Sequence, residues 1–187
     1  MLFLSLLLGC FKQGLEPVSS PDAGLEPIVE PDPIYWEACS YQQDDHICDF
    51  TYANAADTTT TLYDFYGSIV VIEYFTEWCP YCRQAAEQAD LYIEEDVVFL
   101  SVMLENQYGM DARLEDAERW ASAYNLNPEW VLRSGTYILD GNAEWGPDVT
   151  GLPGFIIVDE DMVVKHKIRG WSLQLMKESI AELKSDE

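Results

Sequence analysis

Residues 69–83 read Ile69-Val70-Val71-Ile72-Glu73-Tyr74-Phe75-Thr76-Glu77-Trp78-Cys79-Pro80-Tyr81-Cys82-Arg83. The run 69–75 is almost continuously apolar and rich in β-branched residues, the pattern of a central strand buried on both faces. Pro80 suits the first position of a helix, and Ala85, Ala86 and Ala89 extend that reading over 80–95. The two cysteines therefore fall at a strand-to-helix junction. Two thiols separated by two residues at a helix start can close a small disulfide ring. The free amide N–H groups of the first turn favour a thiolate on Cys79, which becomes the nucleophile. Cys82, one turn further in, is expected to be less exposed and to resolve the mixed disulfide formed on Cys79. The competing readings of such a pair are half a zinc site, which needs two further ligands at suitable spacing, or a purely structural bond.

Working outward, residues 97–104 read as a second buried strand and 112–124 as a helix with Leu114, Ala117, Ala121 and Tyr124 on one face. Residues 155–158 and 162–168 read as strands joined by the Asp159-Glu160-Asp161 turn. Ser172 is placed to cap a last helix to about residue 184, with Leu175, Met176, Ile180 and Leu183 inward. The order β-α-β-α-β-β-α predicts an α/β sandwich: a mixed central β-sheet flanked by helices. The Glu115-Asp116-Glu118 cluster, flanked by Arg113 and Arg119, reads as a solvated helix face with local pairs. His166 reads as a structural residue of the hairpin.

Of the 187 residues, 48% are hydrophobic, enough for a real core, and the formal net charge is −24. That balance argues against nucleic-acid binding, which needs a basic face, and against a polybasic membrane-surface binder. No apolar stretch is long enough to span a bilayer. Residues 2–8 form an apolar run broken only by Ser5 and ending Leu7-Leu8-Gly9-Cys10. This resembles a bacterial lipoprotein signal peptide over residues 1–9, in which Cys10 becomes the lipidated first residue. No Lys or Arg precedes the run, although such signals begin with positive charge. Residues 10–34 then read as the lipidated cysteine and a tether: five prolines and five acids lie between 11 and 34, with Gly14-Leu15-Glu16-Pro17 recurring as Gly24-Leu25-Glu26-Pro27. Proline fixes φ and removes donors, so the segment is expected to be extended and solvated, or to lie as an arm on the domain that spans 35–187.

These residues together resemble the thioredoxin-fold superfamily over about residues 40–185. The carriers are residues 70–83 and Gly151-Leu152-Pro153 before the hairpin. Asp49-Phe50-Thr51 and Leu62-Tyr63-Asp64-Phe65-Tyr66-Gly67 further resemble the TlpA/ResA-like thiol–disulfide oxidoreductases, related to the AhpC/TSA and redoxin group. The resemblance implies that Pro153 is the cis-proline facing the active-site disulfide; the alternative is an ordinary trans turn between two glycines. Leu152 then offers backbone hydrogen bonds to an extended substrate segment, with Leu standing where Thr, Val or Ile is usual. Trp78, Pro80 and Tyr81 complete the substrate-binding set, Trp78 packing beside the disulfide. Glu73 is the only charge in the buried strand and lies six residues before Cys79. The resemblance implies a proton relay for the resolving cysteine, and a carboxyl in apolar surroundings has the raised pKa that such a role needs. The alternative is a strand acid paired with a base or reaching solvent. Cys-Pro-Tyr-Cys also occurs in glutaredoxins, but no glutathione-site pattern follows it.

Of the five cysteines, Cys39 and Cys48 remain. Export to an oxidising compartment favours a structural Cys39–Cys48 disulfide, with free thiols or a second redox relay as alternatives. His46 beside them is an incomplete metal set. The function expected is a thiol–disulfide oxidoreductase of the bacterial cell envelope. It would be lipid-anchored, facing the periplasm or exterior; Phe11 rather than Asp follows Cys10, and the resemblance to bacterial lipoproteins then implies the outer membrane if the source is Gram-negative. It would exchange dithiols and disulfides with partner proteins and an upstream redox partner, as a monomer, with no metal or cofactor beyond the Cys79–Cys82 pair. The alternatives are a thiol peroxidase of peroxiredoxin type, whose Pro-x-x-x-Thr-x-x-Cys context is incomplete here, and a copper-handling chaperone on the same fold that would use His166.

Overall fold

β3 (Ile69–Thr76) is buried along its whole length and forms the axis of the molecule. A computed structural model of the chain describes residues 36–94, 96–139 and 146–185. The signal run, Cys10 and the tether to residue 34 lie outside them. The described residues belong to one unit, Ile34–Glu187. β4 (Val97–Glu105) pairs parallel to β3 on one side, and β6 (Gly154–Val158) antiparallel on the other. β7 (Val164–Arg169) follows β6, while β5 (Val131–Arg133), β1 (Thr51–Asn54) and β2 (Thr59–Thr61) extend the β4 side. The sheet order is β2-β1-β5-β4-β3-β6-β7.

The strand period of two divides the core between the faces. Val70, Ile72 and Tyr74 join Leu100, Val102, Leu132 and Ile156 in a cluster closed by Tyr41, Ile47, Phe50 and Leu62 of the segment preceding β3. On the opposite face Val71 packs with Phe99, Phe155 and Ile157. There they meet Ala85 of α1 (Pro80–Glu87), and Met176 and Ile180 of α3 (Leu173–Ser185). Phe75 and Met103, nearer the active end, pack with Cys82 and Ala86 of α1 and with Ala117, Trp120 and Ala121 of α2 (Leu114–Tyr124).

Several boundaries differ from the expectations. α1 ends at Glu87 rather than at 95; Gln88 leaves the helical region at φ −109°, ψ 9°, and a 3-10 turn over Ala89–Leu91 follows. A helix to 95 would leave no chain to reverse direction before β4, which must run parallel to β3. The last strand begins at Val164 rather than 162, because Met162 sits in the left-handed region at φ 60° inside the turn. β1, β2 and β5 had no sequence signal. They are three or four residues long, and β2 is Thr-Thr-Thr. The acidic cluster on α2 is not simply a solvated face: Asp116 is buried and its carboxylate accepts from the Arg113 backbone N–H at 3.1 Å, starting the helix.

Cys39 and Cys48 are bonded to each other, Cα–Cα 4.8 Å. The loop between them lies on the β6–β7 hairpin. Ile47 N–H donates to Met162 O at 2.9 Å, and Asp44 N–H to Val164 O at 2.8 Å. Trp36 stacks on His46 at 4.4 Å, and the Tyr63 hydroxyl donates to Ile47 O at 2.6 Å. Replacing both cysteines with Ser is expected to destabilise the protein by about 2–3 kcal/mol, the entropy released to the unfolded chain by opening a loop of this length. The measurement is a lowered denaturant midpoint at nearly unchanged slope.

Candidate active site

The parallel β3–α1–β4 crossover sets Cys79 at the carboxyl end of the central strand and at the cap of α1. Cys79 is extended (φ −74°, ψ 119°), and its Sγ accepts from the Cys82 N–H at 3.2 Å. Pro80 supplies the first helical residue, whose missing N–H would have had no intrahelical partner. Cys79 and Cys82 are joined as a disulfide, Cα–Cα 5.3 Å. Cys82 is completely buried and Cys79 is 3% exposed.

The Leu152–Pro153 peptide is cis. Pro153 is buried, its carbonyl accepts from Gly170 N–H at 2.8 Å, and Leu152 packs on the cluster that holds Cys79 and Cys82. Tyr81 is 61% exposed. Trp78 does not lie in the core: it is 47% exposed, and its indole N–H donates to Glu105 at 2.7 Å. That bond ties the ring to the end of β4.

Glu73 occupies the β3 face that α1 covers, between Val71 and Phe75. It is fully buried, so neither of the alternatives, a basic partner or a route to an edge, describes it. In parallel register it opposes Ser101, whose hydroxyl donates to Glu73 Oε2 at 2.7 Å. Its other oxygen, Oε1, has no hydrogen-bond partner among the described residues. A buried unpaired carboxylate costs several kcal/mol. Burial therefore pushes the Glu73 pKa up to about 8, against the smaller lowering by the Ser101 hydrogen bond.

Two features were missed by sequence reasoning. Ser101 carried a signal: it is the single polar residue in the apolar run 97–104. The other feature is a polar brace, of which the local Arg119–Asp116 pair was expected and the distant members Glu77, Asn106 and Gln107 carried no signal. Arg119 donates to Glu77 at 2.9 and 2.7 Å and to Asp116 at 2.7 Å. Gln107 N–H donates to Glu77 at 2.9 Å, and Asn106 to Asp116 at 3.2 Å. Burial alone would raise the Asp116 pKa. The hydrogen bonds from Arg119, the Arg113 N–H and Asn106 outweigh it and hold the carboxyl below the usual range. The brace ties the residues just before Cys79 to α2 and to the loop after β4.

His166 is not brought to the cysteines. It opposes Ile157, three residues along β6 from the Gly154 end, and its Nε2 stands 3.6 Å from Glu182. Among the described residues no three His, Cys, Asp or Glu side chains converge as a metal site would require.

With this geometry in view, the fold is thioredoxin-like, as the resemblance carried by residues 70–83 and 151–153 implied. The thioredoxin domain of a thiol–disulfide oxidoreductase from Bacteroides vulgatus matches with a TM-score of 0.58 at 17% identity, over 75% of this chain and 96% of that one. A chain assigned as the thiol:disulfide interchange protein DsbE of Chlorobium tepidum matches with a TM-score of 0.57 at 20% identity, over 78% and 98%. The exposed lipoprotein thioredoxin Etrx1 of Streptococcus pneumoniae matches with a TM-score of 0.52 at 17% identity, over 75% and 100%. The model of the AhpC/TSA family matches residues 44–167, and the chain belongs to that family. No curated protein sequence matches it.

The position of Glu73 makes stability depend on pH. The native state holds its proton up to about pH 8, whereas an unfolded glutamate releases it near 4.5. Between those values the unfolded state binds fewer protons, so the Glu73 contribution is full below the lower value and is lost as pH rises through the upper one. Glu73→Gln removes this dependence. The variant is expected to gain on the wild type, by on the order of 4 kcal/mol, between pH 5 and pH 8. Chemical denaturation of the oxidised protein at both pH values checks it, and a constant difference would refute it.

Proposed function

We propose that the chain is a thiol–disulfide oxidoreductase that exchanges dithiols and disulfides with partner proteins through Cys79 and Cys82. The observation that carries the reading is the Cys79–Cys82 bond at the start of α1, with Cys82 completely buried and Cys79 3% exposed. Fold relatives described as a thiol–disulfide oxidoreductase and a thiol:disulfide interchange protein support it, and family membership is compatible with it.

In the reducing direction, the Cys79 thiolate attacks one sulfur of a partner disulfide, and the other partner sulfur leaves as a thiolate. Glu73 in its ionised form, which its raised pKa makes a fraction of the population that grows toward pH 8, takes the proton of the Cys82 thiol, and the Cys82 sulfur attacks Cys79 Sγ. The second partner sulfur leaves as a thiolate, and the Cys79–Cys82 bond re-forms. Two electrons pass to the partner, and one proton comes to rest on Glu73. The oxidising direction reverses each step. The half-exposed Trp78, with Pro80, Tyr81, Leu152 and the cis Pro153, forms the surface against which an extended partner segment lies. The cysteines carry the electrons themselves, so the exchange needs no bound cofactor or metal.

The same reading takes residues 1–9 as a signal peptide, Cys10 as the lipidated residue, 10–34 as tether and 35–187 as the working domain. The protein would then be a monomer held to the cell envelope by lipid alone, facing the periplasm or exterior, and on the outer membrane in a Gram-negative source. Two observations support this. One fold relative is described as an exposed lipoprotein, and among the described residues no helix is long and apolar enough to cross a membrane. The Cys39–Cys48 bond is the structural disulfide of that domain.

Cys79→Ser is expected to bring insulin disulfide reduction to background. Cys82→Ser should instead accumulate a partner-linked mixed disulfide that dithiothreitol releases. Retained reduction by Cys79→Ser would overturn the reading, and thiol-dependent peroxide consumption in place of insulin reduction would replace it with the peroxidase.

A further inference from the structure

We propose that the exposed aromatic side chains following the carboxyl ends of the three parallel strands form a docking surface for a basic segment of the partner protein, one with Arg or Lys beside the disulfide that Cys79 attacks. The inference rests on the exchange reading of the cysteine pair and names the class of partner it takes.

β3, β4 and β5 run parallel, and their carboxyl ends lie at the end of the sheet where Cys79 stands. Trp78 and Tyr81 follow β3, Tyr108 and Met110 follow β4, and Tyr137 follows β5. They are five of the eight large apolar side chains exposed among the described residues; Tyr66, Leu91 and Leu175 stand elsewhere. Apolar residues exposed singly are ordinary. A concentration of them beside a reactive disulfide is the pattern of an interaction site, and Tyr, Trp and Met are residues that such sites favour.

The loop that carries Tyr108 is held in place. Asn106 is buried; its Oδ1 accepts from the Tyr108 and Met110 N–H groups at 3.0 and 3.2 Å, and its own N–H donates to Met110 O at 2.8 Å. Gly109 takes the left-handed turn at φ 71°. The bond from Gln107 N–H to Glu77 fixes the loop to the residues just before Cys79. Tyr108, the most exposed of the five at 76%, is thus presented to water on a fixed frame, and a partner that covers it has little loop to order.

Charge selects the occupant. Glu105 and Asp111 oppose each other across an antiparallel bridge, which sets both side chains on one face, where like charges repel. Each stands beside an aromatic ring. Glu105 accepts from the Trp78 indole at 2.7 Å, and Asp111 Oδ1 and Tyr137 Cδ1 lie 2.7 and 2.8 Å from the point where a Cβ on Gly135 would sit. Among the described residues no cation reaches either carboxylate. Arg119 is held by Glu77 and Asp116, and Arg113 stands 3.8 Å from Glu115. Arg83 donates to Glu77 O, and Arg169 opposes Gly154 on the cis-proline side. A guanidinium or ammonium group meets carboxylate and π face together on this surface. The net charge of −24 adds long-range attraction for a basic partner and opposes pairing with a second copy.

The test is reduction, by the reduced full chain, of two peptides that share one disulfide and differ only in the residues flanking it, Lys and Arg in one and Glu in the other. The basic peptide is expected to show the lower KM, by about tenfold at low salt, a gap that narrows as salt screens it. Tyr108→Ser should raise the KM of the basic peptide about threefold with kcat unchanged. Asp111→Lys should raise KM for the basic peptide and lower it for the acidic one, a reversal that misfolding does not produce. Equal KM values in the wild type, or unchanged discrimination in either variant, overturn the proposal. So does dimerisation of the full chain that Tyr108→Ser abolishes, since a second copy then covers the surface. The exchange reading fails on a different result: the wild type then reduces neither peptide, nor 2-hydroxyethyl disulfide.

Discussion

All eight residues of β3 are buried, and the strand has no side turned to water. A polar group on it finds a partner in the protein or goes without one, as Glu73 Oε1, the Tyr74 hydroxyl and the Thr76 hydroxyl do among the described residues. Its backbone groups pair with β4 and β6, and its one carboxyl is answered by a single hydroxyl from the neighbouring strand. This constraint produces the chemistry as well as the packing. A strand covered on both faces ends abruptly where the cover stops, and the chain turns there into α1 with its cysteines at the boundary between core and solvent. The same cover denies Glu73 the hydration that would ionise it at neutral pH. Reactive sulfur and reluctant acid are thus two results of one burial.

The parts of this arrangement that were legible in the sequence are those encoded by near neighbours. The β-branched run 69–75, the proline after Cys79 and the alanines behind it specify strand, turn and helix without reference to the rest of the chain. Glu73 stood out because a charge inside such a run has no local excuse. Illegible were the short strands β1, β2 and β5. Three threonines pair as β2 only because β1 lies beside them and Thr60 reaches the Glu129 carbonyl at 2.5 Å. The end of α1 was misjudged for a similar reason. Alanine spacing continues past Glu87, but the chain must turn back toward β4, and topology outweighs propensity there.

The brace of Glu77, Arg119 and Asp116 shows a third kind of information. Its charges were visible on α2, and their local pairing is the ordinary expectation for a helix surface. Asp116 keeps its local pair with Arg119 and also turns inward to hold the helix start and Asn106, while Arg119 reaches 42 residues back to Glu77. An exposed ion pair contributes little by itself. Here the hydrogen bonds converge on the residues immediately before Trp78 and Cys79, so their effect is to fix where the junction points.

The two margins of the sheet are treated differently. At one end the outermost strand is β2, only three residues long. At the other, the disulfide-closed loop occupies the start of β7, and the rest of that strand carries Lys165, Lys167 and Arg169. Unpaired strand edges invite hydrogen bonding to a second chain, and lysines along them are a standard deterrent. In a chain with 10 basic residues against 34 acidic ones, three of the basic ones lie on this strand. A three-residue strand at one margin, and a covered and basic strand at the other, limit the length of edge that a second chain has to add to.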